Sequence, residues 1–539
     1  MAHLETKPEE LHLERLATAE DDQNDLKLVG DNANEASLDS NMSFGQTVRL
    51  YWKPLLMCLG TAVCAMGDGY QFKMPGNIVA LRGFIDQMGS PNAAGVNVLN
   101  PQHVAIWGGA YVGAQMLFLL VGNWPIDYFG RRPMLWLTQI LMLAAAIIEL
   151  FATNWTHWLG AKILNGMSVG CNVLSATTYI SEIAPTRARG AALALYQLFW
   201  AIGSFAAAVG LQVVSTMPVD KWRHAVYSMF FFLGCAFLIL VWLPESPRFY
   251  ASRGNHEKGL RTLKRINGSV PGYDADHEYG IILKELEDGK VLLDKQKGAN
   301  VLDCFRGTNL RRTMISLTPI MGQLWFGSPV LFTYTAYFFQ LAGLAQPFLG
   351  TVAVNSVLVG FVLISLVTTE KLGRRPLLVY SGLLMPPLLY ATGGLMRAPA
   401  STAAGQGLIA LACIWVAVYA SSVGPLAYVY LAETSTITLR GKTVSMGLFL
   451  QNCGSLVTSY CTPLMLASPS FGVSSTLFFY ASTGVVFTVL IYFVVPETRN
   501  RSYVELDEMF EAKVPARHFD KYSTSIDRSK QSAVNSQQV

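Results

Sequence analysis

Apolar and polar residues fall along this chain in long alternating blocks. Twelve apolar runs stand at 52–77, 104–124, 134–153, 157–181, 190–213, 224–243, 312–340, 347–367, 375–395, 406–432, 442–467 and 473–495. Each has about the 20 residues that an α-helix needs to cross a bilayer. Between the sixth and seventh runs lies a polar stretch, 244–311, with short helices predicted at 255–267 and 278–295. The first 48 residues are polar and acidic, and they lack the pattern of a cleavable signal, so the first run is expected to be a retained span. The segment after Pro496 is polar, and its end, 523–539, has a disordered composition. The pattern predicts an all-α membrane protein: a tail (1–48), a six-helix bundle (49–243), a loop with short helices (244–311), a second six-helix bundle (312–495) and a second tail (496–539).

Composition agrees. Of 539 residues, 52% are hydrophobic and 14% charged, against about 25% charged in soluble domains. A net charge of +4 is too small to point to nucleic acid. The eight cysteines are scattered, mostly inside apolar runs and without a CxxC pair, and read as small apolar fillers. Neither a nucleophile–base pair nor a metal-ligand set stands out among the eight histidines, and no Walker-type loop is present. An enzyme is therefore disfavoured, and no cofactor is expected.

The basic residues fix an orientation. Arg131/Arg132, Arg187/Arg189, the central loop, Arg374/Arg375 and Arg440/Lys442 all lie in alternate connections. By the positive-inside rule this side, with both termini, is expected to be cytoplasmic. Asn154-Trp155-Thr156 is then a glycosylation sequon on the outer side.

One charged pattern occurs in both halves. Asp127, Gly130-Arg131-Arg132, then Glu182 with Arg187-Ala188-Arg189-Gly190, then Pro244-Glu245-Ser246-Pro247-Arg248 form the first copy. Glu370 with Gly373-Arg374-Arg375, then Glu433 with Arg440-Gly441, then Pro496-Glu497-Thr498-Arg499 form the second. Glu182 and Glu433 are 251 positions apart, Glu245 and Glu497 252. Such spacing marks two homologous halves, and paired halves in a membrane protein usually enclose a substrate path. These charged residues are candidates for a cytoplasmic gate. If Glu182 reaches the Arg131/Arg132 group and Glu433 the Arg374/Arg375 group, each half holds an ionic latch, expected to break as the halves rock apart.

These ordered motifs resemble the sugar porter family of the major facilitator superfamily over roughly residues 50–520. Gly424-Pro425-Leu426-Ala427-Tyr428, the stretch from Gln323 through Tyr334 and Tyr337 to Leu344, and the ending from Glu505 to Arg517 resemble fungal disaccharide and α-glucoside permeases. The resemblance implies twelve spans in two bundles, a central cavity open alternately to either side, and a small intracellular helical domain.

A sugar offers hydroxyls and an apolar ring face, so its site needs amides beside aromatic rings. Polar groups inside a membrane are functional candidates by default. Gln197 and Gln323 match family sugar-binding positions. Tyr334, Tyr337 and Tyr428 are candidate walls, Tyr428 standing where many sugar porters have Trp, and Gln451 and Asn452 lie close to another family contact. Helix–helix hydrogen bonding and ordinary packing are the alternative readings. The family's second Gln in the seventh span is Leu324, its downstream Asn is Pro329 and its Glu in the tenth span is Ala420.

Proton-coupled members carry Gly-Tyr-Asp in the first span and Arg in the fourth; here these are Gly69-Tyr70-Gln71 and Lys162. Gln71 cannot carry a proton. Facilitated diffusion, or a carboxylate at Asp68 opposite Lys162, or Glu149, are the options, beside a static Asp68–Lys162 pair. Lys73 is expected near the outer end of the first span, snorkelling. The reading is a monomeric plasma-membrane transporter of a hexose, disaccharide or polyol, with protons as a possible second partner. A transporter of a quinate-like acid or secondary metabolite and a non-transporting sugar sensor are the alternatives.

Overall fold

The computed structural model describes residues 42–524, apart from 93–94, 298–300, 400, 436–438, 500, 502, 520–521 and 523. Residues 1–41 of the expected first tail, and 525–539 of the end with a disordered composition, lie outside the described residues. Among the described residues, twelve helical spans form two bundles. In the first half these are α1 (Trp52–Ile78), α2 (Pro101–Val121), α3 (Arg131–Phe151), α4 (Trp155–Ile183), α5 (Arg189–Ser215) and α6 (Met229–Trp242). In the second they are α7 (Gly307–Trp325, resuming at Thr335–Leu341), α8 (Pro347–Leu372), α9 (Arg374–Leu395), α10 (Thr402–Ser421, resuming at Val423–Glu433), α11 (Arg440–Ala467) and α12 (Gly472–Val494).

Among the described residues, eight of these spans are long and apolar enough to cross a membrane by composition, and a ninth if Phe44–Leu50 is joined to α1. The spans that fall short alone, α1, α4, α7 and α11, carry most of the polar candidates. Asp68, Gln71 and Lys73 sit on α1, Lys162, Asn165 and Asn172 on α4, Gln323 on α7, and Gln451 and Asn452 on α11. Polar side chains lower hydropathy and face protein rather than lipid.

Two expected single helices are broken. The seventh run was expected to be continuous over 312–340, but Gly327 takes φ 95° and a π-helical turn covers Pro329–Thr333 before the chain resumes at Thr335. Proline lacks the N–H that a continuous ladder needs. The tenth run breaks at Ser422, three residues before Pro425. Short elements lie outside the expected runs, among them a helix at Arg82–Met88. Ser43 and Gln46 form a capping box that starts the helix Phe44–Leu50, inside the expected tail and bent 87° from α1. A two-residue antiparallel ladder, β1 (Ser90–Pro91) with β2 (Asn97–Val98), lies between α1 and α2.

Within the first half α1 crosses α5 at glycine contacts made from both sides. A Cβ on Gly69 would lie 1.9 Å from the Trp200 carbonyl oxygen, and one on Gly203 would lie 2.0 Å from that of Met66. Only glycine allows backbones so close. The polar stretch folds as His256–Asn267 and Ala275–Lys297 around Ala251, Leu263 and Tyr279. The second tail is not simply polar. Its helix Tyr503–Glu511 sets Met509 and Phe510 into the core of the second half beside Phe519, with Phe326, Trp415 and Tyr480 in the same cluster.

Candidate functional site

At one end of each half the charged motif builds the same structure. Gly130 and Gly373 take φ 103° and 88°, turning the chain into α3 and α9. The Glu245 carboxylate then accepts from the backbone N–H groups of Arg131 (3.1 Å), Arg132 (3.1 Å) and Ser246 (2.9 Å). Glu497 accepts likewise from Arg374 (3.2 Å), Arg375 (3.0 Å) and Arg499 (2.9 Å). Each is an anion at a helix N-terminus. The second arginine returns the favour: Arg132 donates to the Val241 carbonyl (3.3 Å) at the end of α6, and Arg375 to those of Val495 (2.9 Å) and Tyr492 (3.1 Å) at the end of α12. Burial pushes the Glu245 carboxyl up from its ordinary range, against the pull of the three N–H groups and the Arg131 charge.

The first arginine makes the ion pair. Arg131 reaches Glu182 at 2.9 Å, both nearly buried, and the exposed Asp127 at 3.3 Å. Arg374 pairs with Glu433 and donates to Thr498 (3.1 Å). Both partners of each pair belong to the same half. Each cluster thus ties helices of one bundle together, with Glu182 and Glu433 on the arginine groups expected for them. Tyr179 and Tyr430, also 251 positions apart, lock the clusters by donating at 2.8 Å to the carbonyls of Pro244 and Pro496. The repeated Tyr-x-x-Glu was a readable signal for them. Arg248 pairs with Glu285 of the loop helix. Arg189 begins α5, its Nε buried without a hydrogen-bond partner among the described residues, and Arg440 begins α11. The Glu370 side chain lies outside the described residues.

The amide candidates on α7 and α11 come together. Gln323, 5% exposed, donates to the carbonyls of Gly424 (2.7 Å) and Val423 (3.3 Å), at the break in α10. Gln451 donates to the Gln323 side-chain oxygen (2.8 Å) and to the Tyr428 hydroxyl (3.3 Å), and Tyr428 is 42% exposed. Gln197 is exposed on α5 of the other half. Asn452 bonds the Leu448 carbonyl of its own helix (2.8 Å) and joins no cluster.

The charged candidates pair differently from expectation. Lys162 meets Glu149 at 2.6 Å, and Asn165 donates to the same oxygen at 2.6 Å, all fully buried. Trp158 covers the ammonium at 4.6 Å. The expected Asp68–Lys162 pair is absent. Asp68, equally buried, accepts from Asn172 (2.6 Å) and Tyr196 (3.1 Å), and its other oxygen has no hydrogen-bond partner among the described residues. Gln71 donates to Met229 Sδ. Lys162, Asn165 and Asn172 recur every three to seven residues along α4, a polar stripe visible in the sequence.

At the end away from the charged motifs the halves meet. Lys73 does not snorkel; it is 1% exposed, and its ammonium donates to the Phe332 carbonyl (2.6 Å) and the Thr335 hydroxyl (2.9 Å) in the break of α7. Asn77 donates to the Thr333 carbonyl (3.1 Å) and accepts from Ala336 N–H (2.6 Å). Tyr334, its hydroxyl on the Ser459 carbonyl (2.9 Å), and Tyr337 are buried in this contact with Met74 and Ile78, instead of walling an open cavity.

The sequence matches the model of the Sugar (and other) transporter family over residues 57–510. It is 28% identical over 513 residues to MFS transporter fmqE of Aspergillus fumigatus, covering 90% of this chain and 93% of that one. It is 26% identical over 525 residues to the general alpha-glucoside permease of Saccharomyces cerevisiae, covering 94% and 83%. The fold is similar to that of the xylose transporter XylE from E. coli in its inward-open conformation, with TM-score 0.69, 20% identity, and coverage of 84% of this chain and 99% of that one. A family match over most of the chain, on twelve spans in two bundles, establishes that the protein belongs to the sugar (and other) transporter family and is a multi-pass membrane transporter of the major facilitator fold, not an enzyme.

Proposed function

We propose that the protein carries a neutral sugar of hexose to disaccharide size across the plasma membrane by alternating access, as a monomer with both termini cytoplasmic. The observation that carries this reading is the Gln323–Gln451–Tyr428 cluster in one half, with the exposed Gln197 in the other. Amides that donate and accept, beside a ring with a free face, suit a polyol and offer nothing to a fixed charge. Similarity to the general alpha-glucoside permease favours an α-linked disaccharide. The charged clusters stiffen the cytoplasmic end of each bundle, so that the halves rock as units.

We assign proton coupling to Asp68. Glu149 already has a cation in contact, whereas Asp68 has two neutral donors and one oxygen without a partner among the described residues. The decisive measurement is uptake of a radiolabelled hexose and disaccharide panel into proteoliposomes, with and without an inward proton gradient. Accumulation that follows the gradient in the wild type and only equilibrates in Asp68→Asn supports symport. Equilibration in both makes the protein a uniporter. Uptake of no sugar favours a second reading, a non-sugar solute, to which the apolar Leu324, Pro329 and Ala420 point; all three are buried where sugar porters carry polar groups.

A further inference from the structure

Lys73 has no role in the reading above, yet it is a fully buried cation at the junction of two moving halves. No carboxylate lies within ion-pair distance of it among the described residues. The nearby acids are engaged elsewhere, Asp68 with Asn172 and Tyr196, Glu149 with Lys162 and Asn165. Its two acceptors belong to the other half. The Phe332 carbonyl lies in the π turn of α7, and the Thr335 hydroxyl, its own hydrogen spent on the Leu331 carbonyl (2.6 Å), offers a lone pair. Met74, Ile78, Tyr334, Tyr337, Phe348 and Leu466 bury the surroundings.

A charge buried without a counter-ion is costly, and chains retain one where it serves a purpose. Broken helices in transporters commonly expose backbone carbonyls that coordinate a coupling cation. Here a carbonyl of that kind, with a threonine hydroxyl beside it in a broken helix, holds an ammonium supplied by the facing half. We infer that Lys73 is a tethered cation: it occupies at the break in α7 the place that a diffusible monovalent cation would take, and its engagement there closes the end of the path away from the charged motifs. Asn77, one turn on, binds the same unwound backbone at Thr333 and Ala336 and sets its position. When the halves separate at this end, the ammonium leaves its acceptors and becomes exposed to the path. The closure is thereby governed by a charge that never dissociates from the protein. This inference rests on the chain's being a two-half transporter and is independent of which solute it carries.

The test uses the full-length protein in proteoliposomes, with spin labels replacing Gln102 at the start of α2 and Thr402 at the start of α10, both exposed. Distance distributions between them report closure without any substrate, so failure of the sugar reading does not affect the result. Lys73→Met keeps the stem and removes the charge; it is expected to raise the population with the labels far apart about tenfold, as expected from losing charge-assisted hydrogen bonds. Lys73→Ala leaves room for a free ion. In it millimolar methylammonium is expected to restore the short distance, and tetramethylammonium, which cannot donate a hydrogen bond, is not. Lys73→Arg is expected to close. A wild-type distance in Lys73→Met, or no response of Lys73→Ala to methylammonium, overturns the proposal, since either shows that the stem and not the charge holds the halves.

Discussion

Gln323 and Gln451 satisfy one another, Gln323 using its amide nitrogen on α10 carbonyls and its oxygen on Gln451. The group nearest to hand for an incoming hydroxyl is therefore Gln451, which spans Gln323 and the exposed Tyr428. Gln451→Ala is expected to raise KM for the transported sugar about tenfold, the worth of one lost hydrogen bond with its partner left unpaired. Its effect on kcat should be small, and transport kinetics in proteoliposomes separate the two. Gln323→Ala should cost stability as well as affinity, because it releases the break in α10. At Asp68, the substitution to Asn keeps both neutral partners within reach and removes only the titrating oxygen. Downhill exchange of sugar should therefore survive where gradient-driven accumulation is lost, and counterflow measurements report the first while proton-driven uptake reports the second.

At the scale of elements, the charged motifs are reciprocal caps. A glutamate from the end of α6 or α12 seals the start of α3 or α9, and an arginine from that start holds the last carbonyls of α6 or α12. The Arg131–Glu182 pair adds α4 to the first cluster. Arg131→Glu and Glu182→Arg should each lower thermal stability. The double exchange should recover part of it, with a coupling energy of about 1–3 kcal/mol for partners in contact and mostly buried. Additivity of the two losses would show that the pair is not energetically joined. The tail helix Tyr503–Glu511 is held as firmly. Phe510 is 1% exposed, packs edge-on against Phe519 and lies 4.5 Å beneath the Arg312 guanidinium, which also pairs with Asp507. Phe510→Ala should therefore destabilise the second half by about 3 kcal/mol, read as a lowered unfolding temperature in detergent.

The whole molecule joins two bundles along α2 against α11 and α5 against α8, and adds a polar contact at one end. Lys73, Asn77 and the buried cluster around Tyr334 close the end away from the charged motifs. Gln197 lies on α5 nearer the opposite end, eight residues from Arg189, and is exposed. A thiol at Gln197→Cys should accordingly react with a membrane-impermeant maleimide applied from the side of the charged motifs and be protected by transported sugar. Reaction only from the opposite side would reverse the assigned direction of opening.

The sequence alone determined whatever depends on composition and local spacing. Lengths of apolar runs fixed the spans, because the thickness of a bilayer sets helix length. The repeated Gly-Arg-Arg, Glu and Pro-Glu signals fixed the two halves, because equivalent positions keep equivalent local chemistry. Gln323 and Gln451 were legible for the same reason, as amides that a membrane core does not keep without cause. Tertiary structure alone decided which charges meet inside the spans. Asp68 and Lys162 are two polar points on facing spans, but helix rotation gives Lys162 to Glu149 and Asp68 to Asn172 and Tyr196. Lys73 looked like a residue reaching for the membrane edge, and the break in α7, a feature of the opposite half, turned it inward. A residue's type and its place on a helix are written locally. Its partner depends on how two helices from distant parts of the chain are rotated and docked, and that is a property of the packed whole.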